Sequence, residues 1–191
     1  MGFVRRRYFD DIEVTRRLET LTPRHRMVFA AGCAERTLWR YLQWAESNAP
    51  SGATEMAAIL NRLWDVVEER AAPTSLRLVR KRVSALIPGS EDERPELGAD
   101  DAALALLYAI DCAIGDGDAN EAIDAADRSY ESWLKDETRS GNVTTMAVID
   151  EQEKASPVLQ RELAFQLTLL EHLEREPNPG RNNVQEVSGA S

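Results

Sequence analysis

Apolar and polar positions along this chain recur three and four residues apart, and no stretch sustains the alternation of a half-buried strand. The pattern predicts an all-α fold. Asp10 to Leu21 reads as a short first helix with Ile12, Leu18 and Leu21 as its apolar contacts. Thr22-Pro23 pairs a capping hydroxyl with proline at the first helical position, which opens a second helix to about Ser47. Asn48 to Gly52 supplies breaker residues, and Thr54 is expected to cap a third helix through Ile59, Leu60, Leu63, Trp64 and Val67 to about Arg70. Pro73-Thr74-Ser75 interrupts the chain before a fourth helix from Leu76 to Leu86, and a polar loop runs from Pro88 to Gly98.

The second half continues in the same manner. Asp100 to Ile114 is rich in Ala and Leu and is expected to be the most buried helix. Gly115-Asp116-Gly117 makes a turn, and Asp118 is placed to cap a helix through Ile123, Ala126, Tyr130, Trp133 and Leu134. Thr144 to Lys154 is a weak helix or an irregular segment. Ser156-Pro157 repeats the cap-plus-proline start, and Leu159, Leu163, Gln166, Leu167, Leu170 and Leu173 mark the last helix. From Pro177 onward the chain is rich in Pro, Asn, Gly and Ser and is expected to be disordered. The expectation is one irregular single-domain bundle of about seven helices over residues 1–176, with a disordered tail over 177–191.

Composition adds little to the fold and more to the surface. With 191 residues and 43% hydrophobic content, the chain can build one core of ordinary size. No apolar run reaches the ~18–20 residues that span a bilayer. Arg5-Arg6-Arg7 is followed by Asp10-Asp11 rather than an apolar stretch, so no secretory signal is expected. Arg6 stands where myristoylation would need Ser or Thr. Cys33 and Cys112, each in apolar surroundings, are expected as buried free thiols, and the cytoplasm is the expected compartment.

The net charge of −10 is unevenly spread. Residues 1–90 hold 15 lysines and arginines against 10 acids, and residues 91–191 hold 8 against 23, giving +5 and −15. An acidic half repels phosphate, so nucleic acid is not an expected partner there.

Sharp catalytic motifs are missing. The chain has no phosphate loop, no H-E-x-x-H, no C-x-x-C and no G-x-S-x-G. Its two histidines, His25 and His172, read as surface residues and cannot build a histidine-rich metal site. Asp116-Gly117-Asp118-Ala119-Asn120 resembles the start of a calcium loop, but Glu121 stands where such a loop needs glycine and Asp127 where it needs glutamate. Helix capping is the preferred reading, and no metal or cofactor is expected. Glu35 and Asp111 each fall on an apolar stripe and are the expected buried polar residues, either structural or an acid–base pair. Arg36, Arg40 and Arg62 are their candidate partners. Trp39 and Trp64 are expected in the core. Arg77, Arg80, Lys81 and Arg82 form a basic helix segment expected to pair with the acidic half, within or between chains.

Phe29-Ala30-Ala31-Gly32-Cys33-Ala34-Glu35-Arg36, followed by Tyr41, resembles the N-terminal signature of the YjaG-like proteins, domain-of-unknown-function family 416. Leu60-Asn61-Arg62-Leu63-Trp64, Ile87-Pro88, Ala102-Ala103, Ala109-Ile110-Asp111-Cys112 and Ser156-Pro157-Val158-Leu159 with Glu162, Gln166 and Leu170 extend the likeness over roughly residues 8–175. The resemblance implies an all-helical fold and assigns no activity.

The functional expectation therefore rests on charge. A dense carboxylate surface steers and holds a cationic partner. The expected contributors are Asp116, Asp118, Glu121, Asp124, Asp127, Glu131, Asp136 and Glu137. The leading expectation is a non-enzymatic, immunity-type module that neutralises a basic toxin. The alternatives are a housekeeping protein acting as a homodimer or larger homo-oligomer, and then an enzyme built on Glu35 and Asp111.

Overall fold

A computed structural model describes residues 11–89, 98–139 and 156–190, and within them the chain forms eight α-helices and no strand. They are α1 (Asp11–Thr20), α2 (Pro23–Asn48), α3 (Pro50–Val67), α4 (Leu76–Leu86), α5 (Ala99–Ile114), α6 (Ala119–Arg139), α7 (Pro157–Leu173) and α8 (Arg181–Ala190). A single 3-10 turn, Pro73–Ser75, leads into α4. The helix expected over 144–154 lies outside the described residues.

The bundle is organised around α2. Thr22 and Pro23 start it as the sequence implies, the Thr22 hydroxyl accepting the His25 N–H at 3.4 Å. Its apolar stripe is wide enough to meet α3, α5, α6, α7 and α8. Val28, Phe29, Cys33 and Tyr41 are fully buried on it. Gly32 lets α7 and α8 come close, because a Cβ there would sit 3.0 Å from both Leu169 and Val184. The Ala-rich α5 is packed between α2 and α6 and also touches α4. Burying each of the large core side chains, such as Trp64, Phe165 and Ile110, stabilises the fold by about 1.5–3 kcal/mol.

Three local expectations are corrected. First, α3 begins at Pro50, not Thr54. Proline at the first helical position loses no hydrogen bond and is already set at a helical φ, so the residue read as a breaker is a starter. Second, Trp39 is not in the core. It is 46% exposed and packs its ring 5.7 Å from that of Trp133, while Trp64 is fully buried as expected. Third, His25 is buried rather than on the surface. Its Nε2–H donates to the Glu176 carbonyl at 2.8 Å and its Nδ1 meets the Thr22 hydroxyl, while His172 is half-buried beside Asn183.

The C-terminal segment is the largest difference. In place of a disordered tail, residues 181–190 form α8 and dock on α2 and α7. Val184 and Val187, three residues apart, bury one face of it. The Asn183 side chain accepts the Gly180 N–H at 2.7 Å, and Glu68 Oε1 accepts the Arg181 N–H at 3.1 Å. Polar composition gave no sign of this helix because its stability comes from tertiary contacts.

Candidate functional site

The turn between α5 and α6 is built from Gly115, Asp116, Gly117 and Asp118. Asp116 and Gly117 both take left-handed backbone, φ 54° and 77°. Gly117 also passes over the start of α2, where a Cβ would lie 2.4 Å from the Pro23 Cα, so no other residue fits. Asp118 then caps α6 as anticipated. Its Oδ1 accepts the Asn120 N–H at 2.8 Å and the Glu121 N–H at 3.3 Å.

That turn gathers carboxylates. Glu121 is half-buried, and Asp111, Asp124 and Asp118 act on it from close by. Partial burial first, and these like charges after it, raise its pKa above the ordinary carboxylate value, with Arg80 acting in the opposite sense. Its Oε2 is buried and has no hydrogen-bond partner. Asp116 and Asp118 are exposed beside it.

Further along α6 the balance differs. Glu131 is also raised, by burial first and then by Asp127 and Asp101, but Arg128 and Lys135 stand among these acids. Arg128 reaches the buried Asp101 at 3.2 Å, and Lys135 reaches Asp100 at 2.8 Å and pairs with Asp101 too. The six described acids on the expected surface thus fall into two groups, an acid-rich corner around Glu121 and a partly neutralised stretch around Glu131. The side chains of Asp136 and Glu137 lie outside the described ones.

Glu35 and Asp111 are not buried carboxylates, and none of the three expected arginines partners them. Glu35 keeps 22% of its side chain exposed and binds Arg181, whose Nη2 donates at 2.6 Å and Nε at 3.0 Å. Asp111 keeps 16% exposed and takes both Arg80 Nε and Nη2, the latter at 2.8 Å. The two belong to separate ion pairs with arginines of different helices, Arg181 of α8 and Arg80 of α4.

Among the described residues the deeply buried carboxylates are Asp101 and Glu162, each 1% exposed. Glu162 Oε2 accepts Arg36 Nε at 2.7 Å, and its Oε1 accepts the Ser129 hydroxyl at 2.7 Å and Gln166 Nε2 at 2.9 Å. The Arg36 guanidinium lies 4.4 Å above the Phe165 ring. This network ties α2, α6 and α7 together. The sequence held a signal for it, since Leu159, Glu162, Leu163, Gln166 and Leu170 share one helical stripe. Cys33 and Cys112 are buried and free, with burial pushing Cys112 up to about 12 and Cys33 up as well. Among the described residues no group of three or more His, Cys, Asp or Glu is arranged to hold a metal ion, and no helix is long and apolar enough to cross a membrane.

The sequence matches the family described as "Protein of unknown function (DUF416)" over residues 13–189. The chain belongs to this family. The match takes in α8, beyond the stretch that the motifs alone suggested. A crystal structure of a DUF416 family protein from Shewanella baltica OS155 superposes with a TM-score of 0.76 at 20% identity, covering 92% of this chain and 91% of that one. At that identity the likeness speaks to the fold. No curated protein matches the sequence.

Proposed function

We propose that this DUF416 protein is a non-catalytic protein-binding module of the immunity type, whose acid-rich corner docks a basic toxin. The observation that carries the reading is the environment of Glu121. Its carboxylate is crowded by Asp111, Asp118 and Asp124 and has a buried oxygen with no donor. An incoming arginine or lysine at the accessible side of this half-buried group would relieve the mutual repulsion, so the corner gains more from a cation than a solvated acidic face does. The rigid turn at Gly117 holds the group in place, which limits the ordering cost of association. Blocking a nuclease's phosphate-binding cleft is the kind of neutralisation such a surface performs.

Affinity capture from the native host tests the proposal. The wild-type chain and a Glu121→Gln/Asp124→Asn variant serve as baits, with recovered proteins identified by mass spectrometry. A basic protein recovered by the wild type and lost with the variant supports the reading. Equal recovery by both baits, or recovery of no basic protein, contradicts it.

A further inference from the structure

The acid-rich corner has a basic neighbour. On α4, Arg77, Arg80 and Lys81 share one face by their spacing of three and four. Arg80 is drawn toward α5 and pairs with Asp111. Arg77 and Lys81 are exposed and make no ion pair among the described residues. Leu78 beside them is 76% exposed, at the mouth of a groove of about 290 Å3 formed with Ala58, Ile59 and Val79. On the other side of α5 lies the Glu121 corner. A basic ridge and an acidic corner therefore flank a common boundary marked by the Arg80–Asp111 pair.

Two patches of opposite charge placed side by side are self-complementary. A two-fold axis running along their boundary sets the basic patch of each copy over the acidic patch of the other. We infer that a second copy of this chain occupies this face, Arg77 and Lys81 of each protomer meeting Glu121 and Asp124 of its partner in an isologous dimer. An axis across the boundary would set Arg77 and Lys81 against their own copies, so charge selects one of the two arrangements. The inference shares the acidic corner with the function proposed above but does not rest on it. A cationic partner would compete with the second copy, and the dimer would be the form in which the corner is masked.

Sedimentation velocity over a range of concentrations tests this. The wild type is expected to dimerise at about 50 mM salt, with the dimer weakened at least about tenfold at about 500 mM. Arg77→Glu/Lys81→Glu reverses the ridge, and Glu121→Lys/Asp124→Lys reverses the corner. Each variant alone is expected to be monomeric, and an equimolar mixture is expected to form a heterodimer, since one contact is then the native one and the other is restored with its signs swapped. Far-UV circular dichroism verifies that both fold. Should the corner variant fail to fold, Arg77→Gln/Lys81→Gln gives the decision, with about tenfold weaker dimerisation expected. A wild type that stays monomeric at low salt, a dimer indifferent to these substitutions, or folded variants that do not associate on mixing would overturn the inference. Binding of a cationic protein to the monomer can be measured in every one of those cases, so the two proposals fail separately.

Discussion

Arg181 at the start of α8 grips Glu35 in the middle of α2, with Nη2–Oε1 at 2.6 Å and Nε–Oε1 at 3.0 Å. Its Nη1 also donates to Asn61 on α3 at 2.9 Å, and its guanidinium carbon lies 5.7 Å from the centre of the buried Trp64 ring. One side chain thereby fastens the last helix to two others. The same contact gives the Glu35 carboxylate a partner on its apolar stripe: it is the receiving end of a clamp.

Removal of that clamp is expected to loosen the C-terminus. Arg181→Ala should cost about 1–2 kcal/mol, since it deletes a charge-assisted, multidentate contact at a half-buried position. Truncation after Glu176 also strips away Val184 and Val187, and should cost at least about 3 kcal/mol. Urea denaturation of the three chains measures both. A truncated chain as stable as the full one would show that α8 is not part of the cooperative unit.

The polar network around Glu162 gives a sharper expectation. Glu162→Ala leaves Arg36 without its anion and Ser129 and Gln166 without their acceptor, and should destabilise by about 3–5 kcal/mol. Glu162→Gln keeps the shape and an acceptor oxygen, and should cost less. Equal losses for the two would mean that the charge, not the shape, matters at this position.

How far the sequence reveals this fold depends on where each element draws its stability. Helices α2 and α7 carry their own information, an apolar stripe with a capping hydroxyl and proline at the start, and α5 carries an Ala- and Leu-rich run, and their extents follow closely from these signals. Helix α8 carries only Val184 and Val187 on a polar background, so composition points to disorder while packing against Gly32 and Leu169 decides otherwise. Charged residues divide in the same manner. The cap at Asp118 is a local event and was legible. Which arginine meets Glu35 or Asp111 is fixed by contacts 146 and 31 residues away along the chain, and nothing in the local spacing encodes that. The burial of Asp101 has no local signal, because an aspartate in the first turn of a helix is ordinarily a surface residue favoured by the helix dipole.

Acid titration should register the crowding at Glu121. Its pKa is raised in the folded chain, so this group favours folding while protonated. That contribution is complete below the ordinary unfolded value and is lost as the pH climbs through the raised folded one. Glu121→Gln removes the penalty of holding a charge there. The variant and the wild type should melt together near pH 4 or below, and the variant should melt higher at pH 7. A variant less stable than the wild type at pH 7 would mean that Arg80 outweighs the neighbouring acids.

Both cysteines should be inert in the folded chain. A thiol at about 12, as for Cys112, holds almost no thiolate at pH 8, and Cys33 is fully buried as well. Reaction with a disulfide reagent at pH 8 should label neither cysteine natively and both in denaturant. Rapid native labelling of either would show that the α2–α5–α6 core opens easily.

The proposed role makes the corner around Glu121 the receptor for a cationic protein. Calorimetric titration of the captured basic partner onto the wild type and onto Glu121→Gln/Asp124→Asn, at about 50 and about 500 mM salt, tests that most directly. The predicted result is at least a tenfold loss of affinity from the substitutions at low salt, shrinking as salt screens the corner. Equal affinity of both chains at low salt would contradict it.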